Sequence, residues 1–229
     1  MIYRPILKII GIFAPVIYML TAAIGLVLNL SYVQMKYTFS DLMINGAPSK
    51  VLLTYLTSIY SVLTIIFAIG LFLFVLFYNK AGNNIWGIIT AIFIFIVGFF
   101  TLIMGQFFPM DPNNELVTIT GVIHLTLAYL ISFSTISAVM FFVFWSKKVK
   151  LRDLSIYSLI SLIVIFISGV IAISISRTAN PLLGLFQRIT IFAFLQWMAI
   201  TAIWIINLKN IGLHEKCINL LDLVKDNTN

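Results

Sequence analysis

The amino-acid sequence predicts an all-α membrane protein, a polytopic bundle of six transmembrane helices. Of its 229 residues, 62% are hydrophobic and only 9% charged, and the mean hydropathy is +1.12. Soluble domains hold roughly 25% charged and about half apolar residues, and a chain of this length has too little interior to hide the excess. The apolar residues also fall into six runs, each near the roughly 20 residues that a helix needs to cross a bilayer. Six crossings leave only short loops and ends, so residues 1–229 read as one membrane domain with no soluble catalytic unit beside it.

The runs lie at about 8 to 30, 51 to 78, 85 to 107, 118 to 146, 154 to 176 and 186 to 208, each bounded by turn residues or charges. The first follows a short basic start and resembles a signal peptide, but an apolar signal core is only about 7 to 15 residues long. This run is longer and contains Pro15, which a membrane helix tolerates where neighbouring helices satisfy the freed carbonyl, so it reads as a retained helix. The second run is long enough to tilt or to project beyond the hydrocarbon. Residues 209–229 form the tail. Within it Ile211, Leu213, Ile218, Leu221 and Val224 oppose Glu215, Asn219, Asp222 and Asp226, a spacing that suits a short amphipathic helix on the membrane surface or else a solvated end.

Orientation follows from the bias of Lys and Arg toward cytoplasmic loops. With the N-terminus inside, ten basic residues (Arg4, Lys8, Lys80, Lys147, Lys148, Lys150, Arg152, Lys209, Lys216 and Lys225) fall on inner segments. Four, namely Lys36, Lys50, Arg177 and Arg188, fall outside. Both termini are therefore expected in the cytoplasm and the protein in the cell membrane. Tyr78, Trp86 and Trp145 are expected at inner helix ends, where amphipathic rings settle among headgroups. The net charge of +7 then reports topology and anionic lipid. No nucleic-acid motif accompanies it, so the expected partner is the bilayer and not a nucleic acid. The single cysteine, Cys217, excludes an intramolecular disulfide.

The outer loops replace basic clusters with compact polar motifs. Ser40 and Asp41 lie after helix 1, Asp111, Asn113, Asn114 and Glu115 after helix 3, and Asn180 and Arg188 around the start of helix 6. His124 lies about six residues into helix 4, roughly 9 Å down its axis. Ionisable groups at such depth turn inward and take partners, and Asp111 or Asp41 is the expected partner. His124 either pins helices together or handles a ligand or proton. Arg188 either anchors at the interface or turns inward as a bidentate fork toward Asp41, Asp111 or an anionic headgroup. Asp41, Asp111, His124 and Arg188 are thus the candidate ligand-binding residues. Ser40 reads as a turn or cap residue, since no G-x-S-x-G elbow surrounds it, and no residue is assigned a catalytic role. Asn29, Gln106, Gln196 and Trp197 read as links between helices. With no paired cysteines, His cluster or H-E-x-x-H motif, neither a metal nor a cofactor is expected.

The order of these motifs resembles the integral membrane proteins grouped as domain of unknown function 998. The likeness rests on Ser40, Asp41 and Leu42 after helix 1, on Phe108, Pro109 and Asp111 after helix 3, and on His124 in helix 4. It rests also on Gly184 and Arg188 at helix 6, followed by Trp197. Members carry an acidic residue before that arginine, where this chain has Gln187. The resemblance implies a prokaryotic membrane protein and names no chemistry. A fainter similarity runs to the DRAM-like six-span proteins and hints at lipid organisation. The one-sided polar cluster favours a non-enzymatic protein that binds a lipid headgroup or small polar ligand. The alternatives are a transporter or ion pathway and an intramembrane hydrolase using Asp111 and His124.

Overall fold

The computed structural model describes the chain except residues 1–2, 30–32, 34, 78–83, 112–116, 177, 179 and 227–229, and within helices leaves aside the side chains of 3–6 and 206–226. The elements are α1 (Tyr3–Leu28), a short 3₁₀ helix (Phe39–Met43), α2 (Lys50–Phe77), α3 (Ile85–Phe107), α4 (Ile119–Lys148), α5 (Arg152–Ile175) and α6 (Leu183–Asp226), with no strand among the described residues. All six long helices contain a stretch long and apolar enough to cross a membrane. The chain is a multi-pass membrane protein. Its backbone has no alternative, because a helix alone satisfies its own N–H and C=O groups inside hydrocarbon.

Each expected run falls within its helix to within a few residues. Pro15 sits inside α1 without ending it. The largest difference is at the C-terminus, where α6 runs unbroken to Asp226 and the sequence suggests a stop near residue 208. Gly212 is the only break signal there, and a single glycine costs a helix interior only about 1 kcal/mol. The expected amphipathic packing of the tail falls on side chains outside those described.

Every helix packs against its neighbours in the chain and α1 closes against α6, so the six form a ring in sequence order. Short connections dictate this arrangement, since consecutive antiparallel helices are the nearest available partners. Small residues let the helices approach. A Cβ on Gly98 of α3 would stand 3.0 Å from the Ser61 carbonyl oxygen of α2, closer than all but a small share of Cβ contacts. The α4–α5 turn closes with Leu151 N–H donating to Ser146 O at 2.9 Å, a Schellman-type end that places Lys150 at φ 61°, where glycine is more usual.

The ring is filled unevenly. Far from the 3₁₀ helix, Phe74, Phe142 and Trp145 are wholly buried and in ring contact, with Phe142 edge-on to Trp197 at 5.3 Å. Trp145 therefore does not sit among headgroups as its position near a helix end suggests. It packs on Phe74 and Phe142 inside the ring, whereas Trp86 stacks on Phe141 nearer the exterior. Large apolar side chains such as Phe13, Phe133 and Ile167 stay more than half exposed on the flank, as lipid contact requires. Trp197 Nε1 donates to Ser158 Oγ, Gln106 Nε2 to Ser58 Oγ, and Asn29 Nδ2 to Ser49 Oγ, so these three residues link helices as their chemistry suggests.

Candidate functional site

The half of the ring nearer the 3₁₀ helix holds a cavity of about 510 Å³ lined from all six helices and the 3₁₀ helix. It lies within the size range of small-molecule sites. The walls are less polar than their composition suggests. Thr101, Ser132 and Thr135 each donate their hydroxyl to a carbonyl four residues back, and Ser176 to one three residues back. With those hydroxyls engaged, the walls present chiefly methyl groups, thioethers and rings, among them Met43, Met104 and Phe194.

At one end a different arrangement prevails. His124, on the second turn of α4, has Nδ1 2.6 Å from Phe108 O and Nε2 3.0 Å from Ser40 Oγ. A carbonyl only accepts, so Nδ1 carries the proton, and in the neutral ring Nε2 accepts from the Ser40 hydroxyl. Ser40, His124 and Gln187 all line the cavity. Gln187 Oε1 accepts from Phe39 N–H at 2.9 Å, which ties Gln187 to the residue before Ser40.

The surrounding contacts hold these groups in place. Leu185 N–H donates to Met35 O and Arg188 to Tyr37 O, so residues 35–39 lie along the first turn of α6. The Asp41 carboxylate accepts the Thr38 N–H at 2.7 Å and the Thr38 hydroxyl at 2.8 Å, fastening the start of the 3₁₀ helix. Ser49 Oγ donates to Leu42 O at its other end. Burial pushes the Asp41 carboxyl above its usual range, against the Thr38 hydrogen bonds and the nearby charges of His124 and Arg188. Asp111 holds the α3–α4 turn. Its Oδ2 accepts from Val117 N and Thr118 N and its Oδ1 from the Thr118 hydroxyl, while Thr118 Oγ1 accepts from Gly121 N. Those donors, the Thr118 backbone first, hold the Asp111 carboxyl below its usual range despite partial desolvation.

The profile of the DUF998 family, proteins of unknown function, matches residues 12–204. The chain belongs to the DUF998 family. No curated protein and no solved structure matches it, and nothing in these comparisons shows the DRAM-like similarity.

In this DUF998 protein the four candidate residues divide. His124 lines the cavity, whereas Asp41, Asp111 and Arg188 do not. The expected pairing of His124 with Asp41 or Asp111 is replaced by hydrogen bonds to Ser40 and Phe108, because each carboxylate turns back on a local threonine. The two charges still act on the imidazole through space. Arg188 donates to Gly184 O and Tyr37 O, an inward turn that fixes backbone. Asn180 caps the turn into α6 through Leu182 N–H, and Asn113, Asn114 and Glu115 lie outside the described residues. Among the described residues no three His, Cys, Asp or Glu side chains gather as a metal would require.

Ser40 and Gln187 carry more of the site than their sequence context suggests. Thr38-Phe-Ser-Asp41 has the spacing of a capping box, the signal that fixes the register of Ser40. His124, Ala128, Ser132 and Thr135 repeat at intervals of four, four and three and line one face of α4, a stripe of small and polar residues in an otherwise apolar helix.

Proposed function

We propose that this protein binds an amphipathic, lipid-derived molecule in the cavity, its polar group held by Ser40, His124 and Gln187 and its apolar part along α4, α5 and α6. The observation that carries this reading is the distribution of polarity within about 510 Å³. The hydroxyls of Thr101, Ser132 and Thr135 are engaged on their own helices, while Ser40, His124 and Gln187 gather where the 3₁₀ helix meets the starts of α4 and α6. Burial of apolar surface supplies most of the affinity, at about 25 cal/mol per Å², and the polar end sets orientation.

The protein sits in the cell membrane with both termini in the cytoplasm, which places the cavity in the outer half of the bilayer; the ten-to-four distribution of basic residues supports this orientation. A binding role is favoured over passage because Phe74, Phe142, Trp145 and Trp197 fill the ring beyond the cavity. Native mass spectrometry of gently extracted protein tests the reading. A co-purifying lipid-class species is expected in the wild type and absent in Ala172→Trp, which fills the cavity. Wild-type protein without any bound species, or equal retention in Ala172→Trp, would refute it.

A further inference from the structure

We propose that Ser40 is a nucleophile and His124 its general base, acting on a carboxylic ester carried by the molecule that occupies the cavity. This rests on the binding reading above and gives it a reaction. Three observations converge. The Ser40 hydroxyl meets an imidazole nitrogen at 3.0 Å, unlike the hydroxyls of Ser132 and Thr135, which turn to helix carbonyls. The opposite nitrogen is fixed at 2.6 Å from Phe108 O, which selects the tautomer that leaves Nε2 basic. That is the geometry of an activated nucleophile: hydroxyl, base, and a third group orienting the base. Both residues face a largely apolar cavity, where a substrate is sheltered from bulk water.

The carbonyl of Phe108 takes the position that a carboxylate occupies in the Ser-His-Asp arrangement. Its dipole favours the N–H of the imidazolium as charge develops, with less attraction than a full negative charge. Asp41 and Asp111 add field without contact. Gln187 lines the same cavity and its amide oxygen is engaged by the N–H of the residue before Ser40, so its NH₂ is the group assigned as donor to an oxyanion, a role that side-chain amides fill elsewhere.

The chemistry balances without an added oxidant or reductant. Ser40 Oγ forms a bond to the ester carbonyl carbon as its proton passes to His124 Nε2. The carbon–oxygen bond to the alcohol then breaks, and the departing alcohol takes that proton. Water attacks the acyl-Ser40 carbonyl, giving its proton to Nε2. Collapse releases the carboxylic acid, and the proton returns to Ser40.

A medium-chain alkyl fluorophosphonate, which phosphonylates activated serines, tests this on the detergent-purified full chain. Hydrolysis of p-nitrophenyl octanoate is followed in parallel. The expected result is a single adduct mapped to Ser40, absent in Ser40→Ala. His124→Asn keeps an amide near the Nδ1 position for Phe108 O and removes Nε2. It should still elute as the wild type does and label at least about 100-fold more slowly, the lower range of general-base contributions. Two outcomes would overturn the proposal. One is an unlabelled Ser40 with no ester hydrolysis above the Ser40→Ala background, in protein that retains its lipid-class species by native mass spectrometry; that leaves binding intact. The other is undiminished labelling in His124→Asn, which makes the pair a helix link. Loss of both labelling and retention in the wild type removes both readings.

Discussion

Ser40 and His124, 84 positions apart in the chain, meet at 3.0 Å between Oγ and Nε2, and the contact exists because two separate turns are fastened. On one side Asp41 fixes the 3₁₀ helix through Thr38. On the other, Asp111 fixes the start of α4 through Thr118. The two carboxylates that flank the histidine thus position it and its partner from behind, and of these four residues Ser40 and His124 line the cavity.

Gly121 is needed for this arrangement. A Cβ there would collide with Asp111 Oδ2, so Gly121→Ala must displace the carboxylate from Val117 and Thr118. The N-cap of α4 is Thr118, and Asp111 braces it by accepting from its N–H and hydroxyl, so the displacement loosens the start of α4. A drop in the melting temperature of the detergent-solubilised protein is expected, with a smaller drop in Asp111→Asn, which fits beside Gly121 and keeps an acceptor. Equal stability of Gly121→Ala and wild type would show that the Asp111 brace on Thr118 is dispensable.

The two carboxylates give opposite pH dependences. Asp111 is held below its usual range, so its contribution is complete above the ordinary carboxylate pKa and is lost as pH falls through the lowered folded value. Asp41 is raised by burial, so the folded state holds its proton more tightly. Stability from that source is greatest in acid and declines as pH rises from the ordinary value through the raised one. Thermal unfolding across this window should show a shallower loss on acidification for Asp111→Asn and a shallower loss on the rising side for Asp41→Asn. The same profile in all three proteins would contradict both assignments.

Arg188→Gln should lower stability and leave lipid retention intact. The guanidinium donates to Tyr37 O and Gly184 O and does not line the cavity. Hydrogen bonds to charged groups are worth about 1.5 to 3 kcal/mol. Paired melting curves and native mass spectra check this, and selective loss of the bound species at unchanged stability would place Arg188 in the binding site instead.

Topology has a direct reporter, because Cys217 is the single cysteine. In intact cells a membrane-impermeant maleimide should leave Cys217 unmodified until the membrane is permeabilised. Asn45→Cys in a Cys217→Ser background should label at once, since residue 45 is exposed near the 3₁₀ helix. The reverse pattern would invert the orientation and place the cavity on the cytoplasmic side.

The helices were legible because the bilayer demands long apolar runs, and charges and turn residues end each one. The depth of His124 also marked it correctly as a group requiring partners. The partners were not legible. Asp41 and Asp111 are charged and nearby, but each has a closer donor set in its own turn, and local hydrogen bonds at the price of little chain entropy win over a distant ion pair. Ser40 looked like a cap residue because the capping unit is real; its acid is Asp41 and its threonine is Thr38, which leaves the intervening serine to face inward. Helix-end position alone does not say which way an indole turns, and Trp145 turns into the ring of helices. The cavity depends on how six helices leave space between them, and no single segment encodes that.

The most direct measurement is a structure determined experimentally in lipid nanodiscs. Continuous density is expected in the cavity, with a polar end within hydrogen-bond distance of Ser40, His124 or Gln187 and an elongated apolar part against α4 and α5. A collapsed cavity, or one containing only ordered water with lipid confined to the outer flank, would contradict it.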